Sequence, residues 1–310
     1  MQTQKKPLAK RIKYLILFAF VWTMIQGSRL VPRKLLLIKL TFLGQLAGLV
    51  LKKEREKIFK NLQYALGDEF DAVQLKKLSY EVFKQTGRNF ADILKAIHYR
   101  KFEQFEKILE IEGIEHLEEA YNKGNGIILV ASHMGPYELL GTFFSLKGFK
   151  TSAIATPLKD PRLDKLLVSN RQKMGVTNFP RGKDNIKMVK ALKNGELLLL
   201  LMDQDTRVNS IFVDFFGKPT YTPIGPAMLS LKTGARLVCA SVWRVDNDKL
   251  KYKILPECKV ATTGDKEKDI HAITSALSLQ LESLIRNDLS QWVWMHQRWK
   301  TTPEKVRNNQ

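Results

Sequence analysis

Three rhythms of apolar and polar residues run along the chain. Residues 14–25 and 35–51 are nearly continuous apolar runs bounded by Lys and Arg. Between 73 and 98 the apolar positions Leu75, Leu78, Val82, Phe83, Phe90, Ile93, Leu94 and Ile97 recur at helical spacing, which predicts a long amphipathic helix. From residue 107 short apolar runs alternate with helical stretches, and strands are predicted at 108–111, 126–132, 151–155, 176–179, 197–202, 236–243 and 252–255. Pro161, Asn185 and Pro223 are start signals for the helices between them, and Gly148, Gly175, Gly195 and Gly234 are stops. This alternation predicts an α/β fold, a central, mostly parallel sheet flanked by helices. The expected organisation is an N-terminal segment over 1–51 and a domain over 52–310, the latter split into a helical lead-in (52–106) and an α/β core (107–310).

The run Gly126-Ile-Ile-Leu-Val-Ala-Ser-His133 ends on a histidine, and Glu138 follows across Met-Gly-Pro-Tyr. Ile127 to Val130 reads as a buried parallel strand, and Pro136 suits the first position of a helix running on through Phe144. In one continuous helix a five-residue step would turn the two side chains apart by roughly 140°; a strand-to-helix turn can fold them together. A neutral imidazole near a helix N-terminus, with a carboxylate fixing its tautomer, makes a general base. The bland alternative is a strand-end histidine beside Glu138 serving as a third-position helix carboxylate after a Gly135 cap. There is no G-x-S-x-G elbow to supply a nucleophilic serine, and H-x-x-x-x-E lacks the second histidine of a zinc helix. Asp203-Gln204-Asp205 ends the apolar run 197–202, and ligands gather beyond the carboxyl ends of strands in open α/β sheets, so two polar strand ends point to a shared site.

Charge adds a direction. The formal net charge is +20, and residues 1–60 carry fourteen Lys and Arg against only Glu54 and Glu56. A basic block interleaved with apolar runs suits an anionic membrane surface better than nucleic acid, for which no recognition motif is present. The run 14–25 is shorter than the roughly 20 residues needed to span a bilayer, and 35–51 carries Lys39 and Gln45. A helix or shallow hairpin lying in the cytoplasmic interface is expected, with a tilted span over 12–28 as the second reading; no small-x-small site supports a cleaved signal. Cys239 and Cys258 provide no disulfide framework and suit a reducing compartment.

Ala131-Ser-His-Met-Gly-Pro-Tyr-Glu138, Asn170-Arg171 before Met174-Gly175, Asp203-Gln-Asp205, the run 212–219, Thr233-Gly234-Ala235 and Gln291-Trp-Val-Trp-Met-His-Gln-Arg-Trp-Lys300 occur in that order. Together they resemble the bacterial late lipid A acyltransferases of the lysophospholipid acyltransferase-like superfamily, over essentially the whole chain. The resemblance implies transfer of a fatty acyl group from an acyl carrier protein, or coenzyme A, thioester to a hydroxyl of a lipid A precursor at the inner face of the cytoplasmic membrane. It implies no cofactor beyond that co-substrate. It makes His133 the base, Glu138 its partner, and Arg171 and Asp203 further active-site residues. Arg171 would bind an acceptor phosphate or steady the oxyanion, against a surface ion pair as the plain alternative. Asp203 would position Arg171 or a substrate hydroxyl, whereas Asp205 and His296 read as structural. Trp292, Trp294 and Trp299 suit a membrane interface, with core packing expected for at least one. Phe179-Pro180-Arg181-Gly182 puts Arg181 where the superfamily's glycerophospholipid enzymes carry an acid, which favours a phosphorylated sugar lipid; another glycolipid, an aminolipid or a lysophospholipid remain the alternative acceptors. A non-catalytic basic protein acting through residues 1–60 is the reading from a different class.

Overall fold

The structure, a computed structural model, describes residues 8–182 and 184–307. Residues 1–7 of the expected N-terminal segment lie outside the described residues. Four helices lead in: α1 (Leu8–Leu30), α2 (Arg33–Val50), α3 (Lys52–Leu66) and α4 (Ala72–Ala96). The last is the helix predicted over 73–98. Its start is set by a capping box, in which Asp71 accepts from the Gln74 backbone at 2.8 Å and the Gln74 side chain accepts from the Asp71 backbone at 2.9 Å.

The strands are β1 (Leu109–Glu112), β2 (Ile127–Ala131), β3 (Thr151–Ala155), β4 (Thr177–Pro180), β5 (Leu197–Leu201), β6 (Ser210–Phe215), β7 (Lys218–Pro223), β8 (Arg236–Arg244) and β9 (Leu250–Ile254). Seven of them form one sheet in the order β1-β9-β8-β2-β5-β3-β4. The stretch from β8 to β4 is parallel throughout, and β9 runs antiparallel to β8 and parallel to β1. The expected mostly parallel sheet is therefore present. β2 and β5 at its centre are apolar at every position because helices cover both faces. Ile128, Val130, Leu198 and Leu200 join a core with Ile58 and Leu62 of α3, Leu75 and Val82 of α4, and Leu277 and Leu281 of the helix Lys266–Ile285. Their neighbours Ile127, Leu129, Leu197 and Leu199 point the other way, onto Leu140, Phe143 and Phe144 of the helix Leu139–Leu146. Each such buried Leu or Ile contributes roughly 1.5–3 kcal/mol relative to exposure.

The hairpin β6–β7 is not among the predicted strands. Pro219 and Pro223 argue against a ladder strand, yet a two-stranded sheet leaves one edge free to hold them. Its two-residue turn takes positive φ at Phe216 (54°) and Gly217 (65°). Pro223 accordingly closes β7 instead of opening the next helix, which spans Gly225–Thr233 with Pro226 in its first turn.

The boundary expected after residue 51 falls between α2 and α3, yet α2 is fastened to α4. A Cβ on Gly87 would run into the Leu40 carbonyl oxygen, and one on Gly44 into the Phe83 carbonyl oxygen, so the two backbones meet through glycine. Buried charge ties the same elements: Asp92 of α4 accepts from Arg33 Nε of α2 at 2.8 Å and also from Arg244 Nη2 at the end of β8. Gly87→Ala is expected to separate the helices and lower stability by about 1–3 kcal/mol, the usual cost of overpacking, as read from chemical denaturation in detergent. An unchanged midpoint would show that the close approach is dispensable. Both cysteines are free and buried.

Candidate active site

β2 and β5 are neighbours in register, with Ala131 opposite Leu201. Two residues past those ends stand His133 and Asp203, so the pairing that buries the leucines also delivers an imidazole against a carboxylate. Asp203 is fully buried. Its Oδ1 lies 2.7 Å from His133 Nδ1, and its Oδ2 accepts from the His133 backbone N–H at 2.7 Å. The Trp292 indole N–H donates to the same Oδ2, also at 2.7 Å. Burial opposes the charge on Asp203, but the imidazole and these three donors outweigh it and hold the carboxyl below its usual range. An ionised carboxylate only accepts, so Nδ1 is the donor in this bond, and in the neutral ring of that tautomer the lone pair is on Nε2.

The turn after His133 departs from expectation. Pro136 does not open the helix, which begins at Leu139. Gly135 takes φ +57°, where a Cβ would strike the Val242 carbonyl oxygen, and its N–H donates to Gln291 O at 2.9 Å. Met134 forms a bridge with Trp292. These contacts keep the chain out of helical geometry until the turn bonds from Leu139 to Pro136 (2.9 Å) and from Leu140 to Tyr137 (3.0 Å). Glu138 is left just outside the helix, and its carboxylate makes no capping bond.

Glu138 is instead gripped by Arg171, whose Nη2 lies 2.8 and 2.9 Å from the two carboxylate oxygens and whose Nε lies 3.2 Å from Oε2. Arg171 Nη1 donates to Asn178 Oδ1 of β4 at 2.7 Å. Two expectations are corrected here. Asp203, not Glu138, holds the His133 ring, because strand register brings position 203 to Nδ1 while Gly135 turns Glu138 toward the helix Pro161–Lys173 that carries Arg171. Asp203 in turn does not position Arg171. Four bonds within the protein hold the guanidinium fork while it still lines the cavity, so Arg171 braces Glu138. Arg171→Lys cannot reproduce that fork, and a loss of about 1–3 kcal/mol is expected in denaturant titration. Wild-type stability would count against the bracing role.

His133, Glu138, Arg171 and Arg181 all line one cavity of about 780 Å³. Its walls are largely apolar, with Ile154, Leu158, Leu167, Met188, Val189, Ile224, Met228 and Leu229 among them, and Lys232 adds a third cation. Arg181 is half-buried just beyond β4; burial pulls its pKa down, and it has no acidic partner among the described residues. Tyr137 stands edge-on to the His133 ring at 4.8 Å, and burial followed by the charges of Glu138 and Asp203 pushes its hydroxyl pKa up, which keeps it neutral. Among the described residues no group of three or more His, Cys, Asp or Glu is placed to hold a metal ion.

The tryptophan-rich close is core more than interface. Trp292 and Trp294 are buried, their rings 4.7 Å apart and nearly perpendicular, and Phe215 and Phe216 of the β6–β7 hairpin pack against them. Arg298 is buried beneath them, donating to Tyr221 O at 2.7 Å and to Thr222 Oγ1 at 2.6 Å, and burial lowers its pKa to about 10. Asp205 accepts from the Thr301 backbone at 3.0 Å. The bond from Trp292 to Asp203 was not foreseeable from spacing, since 89 residues separate the two. For His133 and Asp203 the two apolar runs with polar ends pointed to a shared site, whereas the bond itself follows from the strand register.

The family described as bacterial lipid A biosynthesis acyltransferase matches residues 2–301. The chain is 27% identical over 251 residues to a phosphatidylinositol mannoside acyltransferase of Mycobacterium tuberculosis, covering 79% of this chain and 77% of that one. It is 27% identical over 269 residues to the lipid A biosynthesis lauroyltransferase of Escherichia coli K12, covering 85% of each. A lipid A biosynthesis acyltransferase of Haemophilus influenzae is 26% identical over 263 residues, 84% of this chain and 80% of the other.

Proposed function

The chain belongs to the bacterial lipid A biosynthesis acyltransferase family and is an acyltransferase, and on that premise we propose that His133 is its general base, acting on a hydroxyl of a lipid A precursor. The observation that carries this reading is the His133 ring, fixed by Asp203 through Nδ1 and lining an apolar cavity with its other nitrogen unencumbered. Nε2 takes the acceptor proton as the hydroxyl oxygen attacks the carbonyl carbon of the acyl thioester. The tetrahedral intermediate collapses, the carbon–sulfur bond breaks, and the imidazolium returns the proton to the departing thiolate. An ester and a free thiol result. Asp203 stabilises the imidazolium formed between the two steps.

The same cavity suits a fatty acyl chain along its apolar wall and a phosphorylated headgroup near Arg181 and Lys232. The donor in this reading is an acyl carrier protein thioester, with coenzyme A as the alternative carrier. The exposed apolar faces of α1 and α2, including Ile12, Ile16, Phe20, Ile38, Phe42 and Leu49, support seating on the cytoplasmic face of the inner membrane. Among the described residues no single helix is long and apolar enough to cross a bilayer; α2 and α3 together reach the required length and composition but are bent by 88°. A second reading is favoured by the mycobacterial relative, whose name makes a phosphatidylinositol mannoside the substrate, so a different glycolipid is the alternative acceptor.

Purified enzyme given lauroyl-acyl carrier protein and a lipid A precursor should yield a product heavier by one acyl chain. No product with that acceptor, but acylation of a phosphatidylinositol mannoside, would move the assignment to the second reading. No product with either would sink both.

A further inference from the structure

We propose that Trp292 is a positioning residue for the transfer reaction: its indole N–H holds one oxygen of Asp203 so that the other stays on His133 Nδ1. This deepens the reading of His133 as the base and rests on it. Trp292 is buried at 2% exposure and reaches Asp203 Oδ2 at 2.7 Å. That oxygen also accepts from the His133 backbone, so the carboxylate is fixed by three donors, two of them from the residue it orients. The backbone around Trp292 is held just as closely. Gln291 O accepts from Gly135 N at 2.9 Å, Met134 bridges to Trp292, and the Gln291 side chain accepts from Arg244 N and donates to Arg244 O, both at 2.8 Å. The C-terminal segment therefore grips the turn that carries His133 by its main chain and the partner of His133 by its indole.

The consequence is electrostatic as well as geometric. A donor on Oδ2 draws charge away from the carboxylate and weakens its pull on the Nδ1 proton. Removing it makes the carboxylate a stronger acceptor and favours the protonated ring, which shifts the onset of base catalysis to higher pH. The other groups facing this pair are Tyr137, Glu138 and Arg171 on the cavity side, and His296, Arg298 and Asp205 behind. Trp292→Phe alters none of their charges.

The test compares Trp292→Phe with Trp294→Phe. Trp294 sits in the same aromatic cluster but donates to Leu289 O, so its variant shares the packing loss without touching Asp203. With lauroyl-acyl carrier protein and a lipid A precursor, the acidic limb of kcat/KM should move up by about one pH unit in Trp292→Phe, a tenfold greater loss at acidic pH than above the limb. Trp294→Phe should lower activity equally at every pH. A readout independent of turnover is the proton NMR signal of the bond from Nδ1 to Oδ1 in detergent micelles, assigned by its absence from His133→Ala, which should move downfield in Trp292→Phe alone. If Trp292→Phe does not fold, the benzothienyl isostere of tryptophan at position 292 keeps the shape without the N–H, and the same shifts are expected. Either signal unmoved overturns the role of Trp292. Full activity in His133→Ala would instead sink the base assignment beneath it.

Discussion

With His133 as the proposed general base, Asp203→Asn is expected to cost turnover about 10²–10⁴-fold, as much as deleting that base outright. The amide keeps the size of the carboxylate and changes its hydrogen-bond sense. Two donors, the His133 backbone and the Trp292 indole, require an oxygen at the Oδ2 position. The amide oxygen must go there, which turns the NH₂ group toward Nδ1. An NH₂ group only donates, so Nδ1 must become the acceptor and the ring proton moves to Nε2. The nitrogen facing the acceptor hydroxyl is then already protonated and cannot take the proton. A mass-resolved assay of acyl transfer would settle the matter, and an asparagine variant within tenfold of wild type would overturn the tautomer argument. The variant should also change the response to acid. Asp203 binds its proton less readily folded than unfolded, so its contribution is present above the unfolded value of about 4 and drains away as pH falls through the lower folded value. Melting temperatures measured between about pH 6 and pH 3 should therefore fall more steeply for wild type than for Asp203→Asn.

Gly135→Ala should damage both the fold and turnover. A left-handed backbone costs an L-residue roughly 1–2 kcal/mol by itself. The added methyl would also collide with the Val242 carbonyl oxygen and, through it, with β8. That carbonyl does not give way cheaply, because Val242 lies in a nine-residue strand and is paired there with Tyr252 of β9. The turn itself must shift, and the bond from Gly135 N to Gln291 O goes with it. His133 stands two residues away, and a displacement of about 1 Å at a reacting group costs on the order of 10²-fold in rate. Loss of that size, with a destabilisation of about 2–4 kcal/mol in denaturant titration, is the expected outcome. A variant that kept wild-type turnover would show that the turn can relax without moving the base.

The middle of the sheet was legible because β2 and β5 are buried on both faces and advertise themselves as unbroken apolar runs. Four of the site positions could be named before any geometry, yet their pairings came out otherwise. Glu138 and Asp203 are both carboxylates near His133, and sequence distance favours Glu138. Register decides for Asp203, and register is a property of two strands 70 residues apart. The N-terminal boundary illustrates the opposite limit. Exposed apolar residues on α2 announce a surface-seeking helix, whereas the glycines that pack its other face against α4 carry no hydrophobic signal at all. The β6–β7 hairpin escaped for a third reason, since its prolines are tolerable only on a strand with a free edge, and edges are not visible along a chain.

Asp203 takes the ring and the backbone N–H of the same residue, one on each oxygen. A base held only by its ring can swing about its side-chain torsions and sample several positions over a substrate. Here the ring cannot turn without tearing one oxygen loose, and the main chain cannot shift without tearing the other. Ring and backbone of His133 are thus restrained by the same carboxylate, and on the proposed mechanism more of the search for alignment falls on the acceptor hydroxyl. Substrates whose hydroxyl is carried on a rigid ring should find that alignment more readily than those presenting it on a freely rotating chain, a selectivity set by the stiffness of the base and not by any contact with the acceptor.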